Sequence, residues 1–250
     1  MEVPYVKSQF IKKGLLEVAF FHPKHNSLPG AILAQLAQAI QQAGQNPEVQ
    51  VIILKSGGER TFCAGASFDE LVAINDFATG KQFFMGFAQV INACRKCPKL
   101  IIGRVQGKAI GGGVGLAAAV DYCLATQYAA IKLSELNVGI GPFVVGPAVS
   151  RKIGLSAMSQ LAIQANELKT AEWARAKGLY AEVFENTTQL DEGVAKLANY
   201  LLSTNPAAQA MLKQVFWEGH EDWDTLLEKR AEMSGRLVLS DFTKQALAKN

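Results

Sequence analysis

The chain has 250 residues but only four cysteines and three histidines. That scarcity leaves no framework for a disulfide-stapled or metal-stapled fold. Cys94 and Cys97 form a Cys-x-x-Cys, yet no second such pair and no His-x-x-x-His supplies the two further ligands a structural zinc needs. Free thiols, and no metal, are the expectation. Charge is sparse too: 19% of residues are charged, 25 Lys+Arg against 22 Asp+Glu, for a net charge of +3. Such a balance lacks the dense basic stripe of a nucleic-acid binder and suits a small anionic ligand. No long apolar run exists. Val114 to Ala125 is broken by Asp121 and is too short to span a bilayer at about 1.5 Å per residue. The N-terminal residues Met-Glu-Val-Pro-Tyr-Val-Lys lack the basic start, apolar core and small-residue cleavage site of a secretory signal. A cytoplasmic protein with no membrane or nucleic-acid partner is expected.

What is present is a 49% hydrophobic share, enough for a large core, arranged as alternating strand and helix patterns. Leu15 to Phe21, Val49 to Lys55, Lys99 to Val105, Val120 to Thr126 and Ala130 to Leu133 read as strands. Between them, Ala31 to Ala43 reads as a helix with Ile32, Leu33, Leu36 and Ile40 on one face, started by Ser27 and Pro29. Gly86 to Cys97 reads as a second helix, closed by Pro98. This order implies parallel strands covered by helices, an α/β core. Beyond Gly154 the strand signal fades, and helices separated at Asn166, Asn186, Asn205-Pro206 and Gly219 follow. Residues 1–190 are expected to form the core and residues 191–250 a helical region.

Two loops of small residues carry the chemical signal. Gly111-Gly112-Gly113-Val114-Gly115 leads from a strand into a helix, at roughly 0.5–1 kcal/mol per glycine relative to alanine. Such a run admits close approach of a ligand to the unpaired amides of a first helical turn, where negative charge is favoured. A tight strand-to-helix crossing where only glycine fits is the alternative. Gly113 to Ala118 also fits G-x-G-x-x-A, but mid-chain and outside a first βαβ unit, a weak pointer to a dinucleotide. The second loop, Cys63-Ala64-Gly65-Ala66-Ser67-Phe68, has the same build. Two such loops leaving one sheet could aim two amides at one oxygen, an oxyanion hole. Glu135 follows a short apolar strand and precedes the Gly141-Pro142 turn, where a carboxylate can enter a pocket with a raised pKa. An exposed loop glutamate is the ordinary alternative. Asp121 reads as a structural acid, and His22, His25 and His220 form no triad.

Residues 62–71, 103–126 and 132–154 together resemble the crotonase superfamily, the enoyl-CoA hydratase/isomerase family. The resemblance implies a ββα spiral core and a C-terminal helical region that mediates oligomerisation, as a homotrimer or a dimer of trimers. It implies acyl-CoA thioester substrates and no separate cofactor, coenzyme A being part of the substrate. By position, the amides of Ala66 and Gly112 match the family's two oxyanion donors, and Glu135 matches one of two acid/base glutamates. Lys24, Ala64, Ser67 and Phe68 match positions along the coenzyme A path, and Gly115 and Pro142 are expected to contact the substrate. Phe242 resembles an aromatic offered to the adenine by a neighbouring subunit, but the lysine after it is off register at Lys244.

The chain departs from the family pattern at Gly115, where two-glutamate hydratases carry their other acid. Three readings follow from the resemblance. One is an enoyl-CoA hydratase, a lyase of fatty acid metabolism adding water across the 2,3 double bond with Glu135 alone, with room at Gly115 for water or for a branched, methylglutaconyl-like acyl group. Another is a Δ3,Δ2-enoyl-CoA isomerase, and the third is a weakly active acyl-CoA-binding member.

Overall fold

A computed structural model describes residues 3–249. In chain order the elements are β1 (Tyr5–Lys12), β2 (Gly14–Phe21), β3 (Ser27–Leu28), α1 (Gly30–Gln45), β4 (Val49–Ser56), β5 (Thr61–Cys63), β6 (Gly65–Ala66) and α2 (Phe68–Val72). There follow α3 (Phe77–Lys96), β7 (Leu100–Val105), β8 (Lys108–Ile110), α4 (Gly112–Ala119), β9 (Tyr122–Thr126), β10 (Ile131–Lys132) and a 3-10 turn, Glu135–Val138. The remainder is α5 (Gly146–Ile163), α6 (Ala171–Ala176), β11 (Glu182–Phe184), α7 (Thr187–Leu202), α8 (Pro206–Phe216), α9 (Trp223–Leu237) and α10 (Asp241–Leu247).

The main sheet has six strands in the order β1-β2-β4-β7-β9-β11, parallel except for the antiparallel β1/β2 pair. Its central strands are apolar on both faces because helices cover both. On one side, Ile32, Leu33, Leu36 and Ile40 of α1 pack with the aliphatic side of β2 and β4 in the main core. On the other, Leu190, Val194 and Ala198 of α7 cover Leu15, Val51, Ile53, Ile102 and Leu124. The expected boundary at 190/191 thus falls inside α7, whose apolar face completes the sheet sandwich.

Three local expectations change. Ser27 does not start α1: Pro29 is the capping residue, and Ser27 sits in β3, where its hydroxyl donates to Ala66 O at 3.0 Å. The second helix begins at Phe77 rather than Gly86, capped by Asp76, whose Oδ1 accepts from Thr79 N at 2.8 Å. Gly86 looks like a boundary only because Leu33 of α1 packs against it, a β-carbon there meeting Leu33 Cδ1 at 2.8 Å. The edge strand β1 escapes the sequence reading because its apolar residues come in adjacent pairs without alternation and most of its length is exposed.

The C-terminal helices are tied to the core by a buried ion pair. Lys213 of α8 lies 2.8 Å from Asp121 Oδ2 and donates to Lys99 O at 2.7 Å. Asp121 Oδ2 also accepts from the Ile101 amide at 2.8 Å. Cys63, Cys94, Cys97 and Cys123 are free and buried, and burial pushes the thiols of Cys63, Cys94 and Cys123 up to about 12. Among the described residues, no helix is long and apolar enough to cross a membrane.

Candidate active site

The loops singled out in the sequence leave a small second sheet, not the main one. Its order is β10-β8-β5, all parallel, with Cys63 paired to Ala109, Ile131 to Ala109 and Lys132 to Ile110. Parallel strands end on the same side. The chain following each of the three therefore emerges side by side: Ala64 to Ser67 after β5, Gly111 to Gly113 after β8, and Ser134 to Val138 after β10.

Distances confirm the convergence. The Gly111 amide donates to Lys132 O at 2.8 Å. Gly111 has φ +52 and ψ −116, a backbone state open to glycine, and a β-carbon there would lie 3.0 Å from Glu135 Oε1. A β-carbon on Gly65 would lie 3.5 Å from the Gly112 nitrogen, and one on Gly113 would lie 2.3 Å from Cys63 O. The glycines let the two loops pack backbone to backbone beside the carboxylate.

The loops enclose a cavity of about 620 Å³, into whose wall Ala64, Ala66, Phe68, Gly112, Glu135 and Pro142 all enter. Gly112 opens α4, so its amide has no carbonyl four residues back to bond. The Ala66 segment is held by the Ser27 hydroxyl on Ala66 O and by Ser67 N donating to Leu28 O at 3.0 Å. Among the described residues that line the cavity, Glu135 supplies the one carboxylate. Its Oε2 is sealed from solvent and has no hydrogen-bond partner. Burial raises its pKa to about 7, with its own backbone amide opposing weakly. A carboxyl poised there can both take and return a proton at neutral pH.

The turn that carries Glu135 is pinned at several points. Asn137 Nδ2 donates to Ala165 O at 2.8 Å, and Ile140 N donates to Glu135 O at 3.1 Å. From α10, Phe242 and Thr243 close on Gly139, where a β-carbon would meet Phe242 Cδ1 and Thr243 Oγ1 at 2.6 Å.

Three expected site residues lie elsewhere. Lys24 is exposed and ion-paired with Asp69 of α2, outside the cavity wall. Ser67 is buried and caps α2, its hydroxyl accepting from the Glu70 amide at 3.3 Å. Gly115 is buried within α4 and does not line the cavity; a β-carbon on it would lie 2.4 Å from Val145 Cγ1. The room for water or a branched acyl group expected at Gly115 is thus filled by Val145.

Several wall residues went unread in the sequence. Phe84 and Phe87, three apart on α3, stand on the cavity side, and Phe87 lies so close to Gly112 that a β-carbon there would be 2.3 Å from its ring. Their i,i+3 spacing is the usual signature of a core face, so pattern alone does not mark them. Val145 and Ser234 also enter the wall, from segments with no chemical motif.

Residues 10–247 match a family model described as enoyl-CoA hydratase/isomerase. Over 224 residues the chain is 30% identical to the short-chain-enoyl-CoA hydratase of Clostridium acetobutylicum, covering 89% of this chain and 85% of that protein. It is 27% identical over 243 residues to the peroxisomal Delta(3,5)-Delta(2,4)-dienoyl-CoA isomerase of Arabidopsis thaliana, covering 90% of this chain and 86% of that one. The fold is similar to a crystal structure of enoyl-CoA hydratase from Bacillus halodurans, with TM-score 0.91 and 22% identity over 98% of this chain and all of the other. With the fold, the family model and these relatives in agreement, this chain is an enzyme of crotonase fold and belongs to the enoyl-CoA hydratase/isomerase family.

Proposed function

We propose that this enzyme is an enoyl-CoA hydratase that works with a single acid/base group, Glu135. The observation that carries the reading is the sealed, unpartnered Oε2 of Glu135 on the wall that also holds Ala66 and Gly112. In the addition direction the ionised carboxylate takes a proton from water as the oxygen bonds to C3 of the 2,3-enoyl thioester. The π electrons move to the thioester oxygen, and the enolate is held by the amides of Ala66 and Gly112, each donor worth roughly 2.7–4 kcal/mol. Glu135 then returns the proton to C2, so one water is added and the carboxylate is regenerated. Coenzyme A enters as part of the substrate.

A second reading, double-bond isomerisation, is favoured by Val145. With the space at Gly115 filled, no second group holds a water there, and a lone carboxylate can instead carry a proton between two carbons of the same acyl chain. Incubating the protein with enoyl-CoA thioesters in D₂O separates the two by product mass. Gain of water supports hydration; migration of the double bond with deuterium uptake alone replaces it with isomerisation.

The assembly we propose is a homotrimer, alone or paired. Its support is the apolar side chains left exposed on the helical region and α5: Met211 at 67%, Val215 at 56% and Leu155 at 77%. Light scattering that returns a monomer mass at micromolar concentration removes this reading.

A further inference from the structure

Helices α3 and α9 cross with their backbones in contact. A β-carbon on Gly235 would lie 2.8 Å from the Lys81 amide nitrogen, and one on Gly80 would lie 3.1 Å from Gly235 O. This close crossing carries the residue before Gly235, Ser234, into the cavity wall. Ser234 is 1% exposed. A serine inside a helix ordinarily returns its hydroxyl to a carbonyl three or four residues back, as Ser159 does to Ser156 O at 2.9 Å. No such bond from the Ser234 hydroxyl is present among the described residues. An enclosed hydroxyl without a partner is costly to keep, and a ligand atom in the cavity would satisfy it.

The position of Ser234 within the cavity follows from α3. Gly80, Phe84 and Phe87 lie at helical spacings of four and three, on one face. Phe87 stands against Gly112 at one end of this face, and Gly80 meets α9 at the other. Seven residues of helix separate them, about 10 Å. The oxyanion turn and the Ser234 hydroxyl therefore mark opposite ends of a passage walled by phenylalanine. Among the described lining residues the one cation is Lys132, and it belongs to the oxyanion end, where its carbonyl accepts the Gly111 amide. Among the described lining residues, none at the Ser234 end carries a positive charge.

We propose that Ser234 selects the acyl group, hydrogen-bonding an uncharged oxygen, a hydroxyl or carbonyl, carried toward the far end of the chain. This rests on the cavity being the acyl site of the proposed reaction. A pocket that offers a hydrogen bond to a substrate oxygen discriminates against the hydrocarbon analogue, because its own polar group is then left unpaired.

The test is binding, measured by calorimetry, of saturated acyl-CoA thioesters, which need no turnover. Each methyl-ended chain in a short length series is compared with its terminally hydroxylated counterpart and with the dicarboxylic half-thioester of equal length. At the matching length the hydroxylated chain is expected to bind about tenfold more tightly than the methyl-ended one. Ser234→Ala erases that difference without weakening the methyl-ended chain. Equal affinities at every length, a preference that survives in Ser234→Ala, or tightest binding of the carboxylate each overturn the proposal. The preference without hydration of the matching enoyl thioester leaves Ser234 its role and removes the hydratase reading. Hydration without the preference does the reverse.

Discussion

Val145 occupies the space in front of Gly115: a β-carbon at 115 would lie 2.4 Å from Val145 Cγ1 and 2.7 Å from Val145 Cβ. Position 115 is therefore closed by packing as well as lacking an acid. Restoring a carboxylate by Gly115→Glu overpacks a buried helix and buries an unpaired charge, so a loss of stability of at least about 1–3 kcal/mol is expected. Adding Val145→Gly should recover part of the loss, because the two sites share one volume and are not additive. Chemical denaturation of the parent and the two variants measures this; equal stabilities of single and double variants would show that Val145 does not bar the position.

Glu135 is expected to carry the proton transfer. Glu135→Gln keeps the shape of the turn and removes the titrating group, so turnover should fall by about 10²–10⁴ with little change in binding of a saturated acyl-CoA. Steady-state kinetics alongside calorimetry check it. Retained turnover would assign the chemistry to another group.

The pH dependence has a definite sign. The mechanism needs the ionised form of a carboxyl whose pKa is raised to about 7. In the free enzyme kcat/KM should thus climb about tenfold per pH unit below 7 and level off above it. Stability runs the other way. The folded pKa lies above the ordinary value of 4.5, so the stabilising effect of the protonated form is complete below pH 4.5 and is lost as pH rises through about 7. At about 1.36 kcal/mol per unit the loss is about 3 kcal/mol. Glu135→Gln should therefore gain stability relative to the parent at pH 8 but not at pH 4, as urea titrations at the two pH values would show.

Asp121 and Lys213 are 5% and 2% exposed at the side chain, so the two charges are buried together. Asp121→Asn or Lys213→Met alone should cost about 3–5 kcal/mol by stranding a buried charge, and the double change less than the sum. A double-mutant cycle in urea reads the coupling. Additive losses would mean that the two charges do not act as a pair in holding the helical region to the core.

The Phe87 ring against Gly112 predicts a further outcome, in the oxyanion turn. Gly112→Ala brings a β-carbon to 2.3 Å of that ring, so either the ring or the turn must move. A fall in kcat larger than the change in acyl-CoA affinity is expected, since a displaced amide is felt most in the transition state. Crystallography of the variant would locate the shift, and an unmoved turn with full activity would separate the Gly112 amide from catalysis.

Much of this protein is legible in its residue order, and the legible parts share a cause. The apolar runs of β2, β4 and β7, the stripe of α1 and the caps Asn186 and Asn205 are local: strand alternation, helical spacing and side-chain capping act over a few residues. The small-residue loops and Glu135 could be singled out for the same reason, each being a short motif with a short-range purpose. What tertiary structure alone decided is which of these meet. The β10-β8-β5 sheet brings loops around residues 65, 112 and 135 together, and strand pairing across such separations leaves no periodic trace. Val145 against Gly115, Phe87 against Gly112 and Ser234 beside the α3/α9 crossing are contacts between chain segments remote in sequence. Their glycines read locally as turns or breaks, and only the packed neighbour reveals that they are points of close approach. Sequence thus determined the kind of fold and the acid; packing determined which spaces around that acid are open, and therefore what can be bound there.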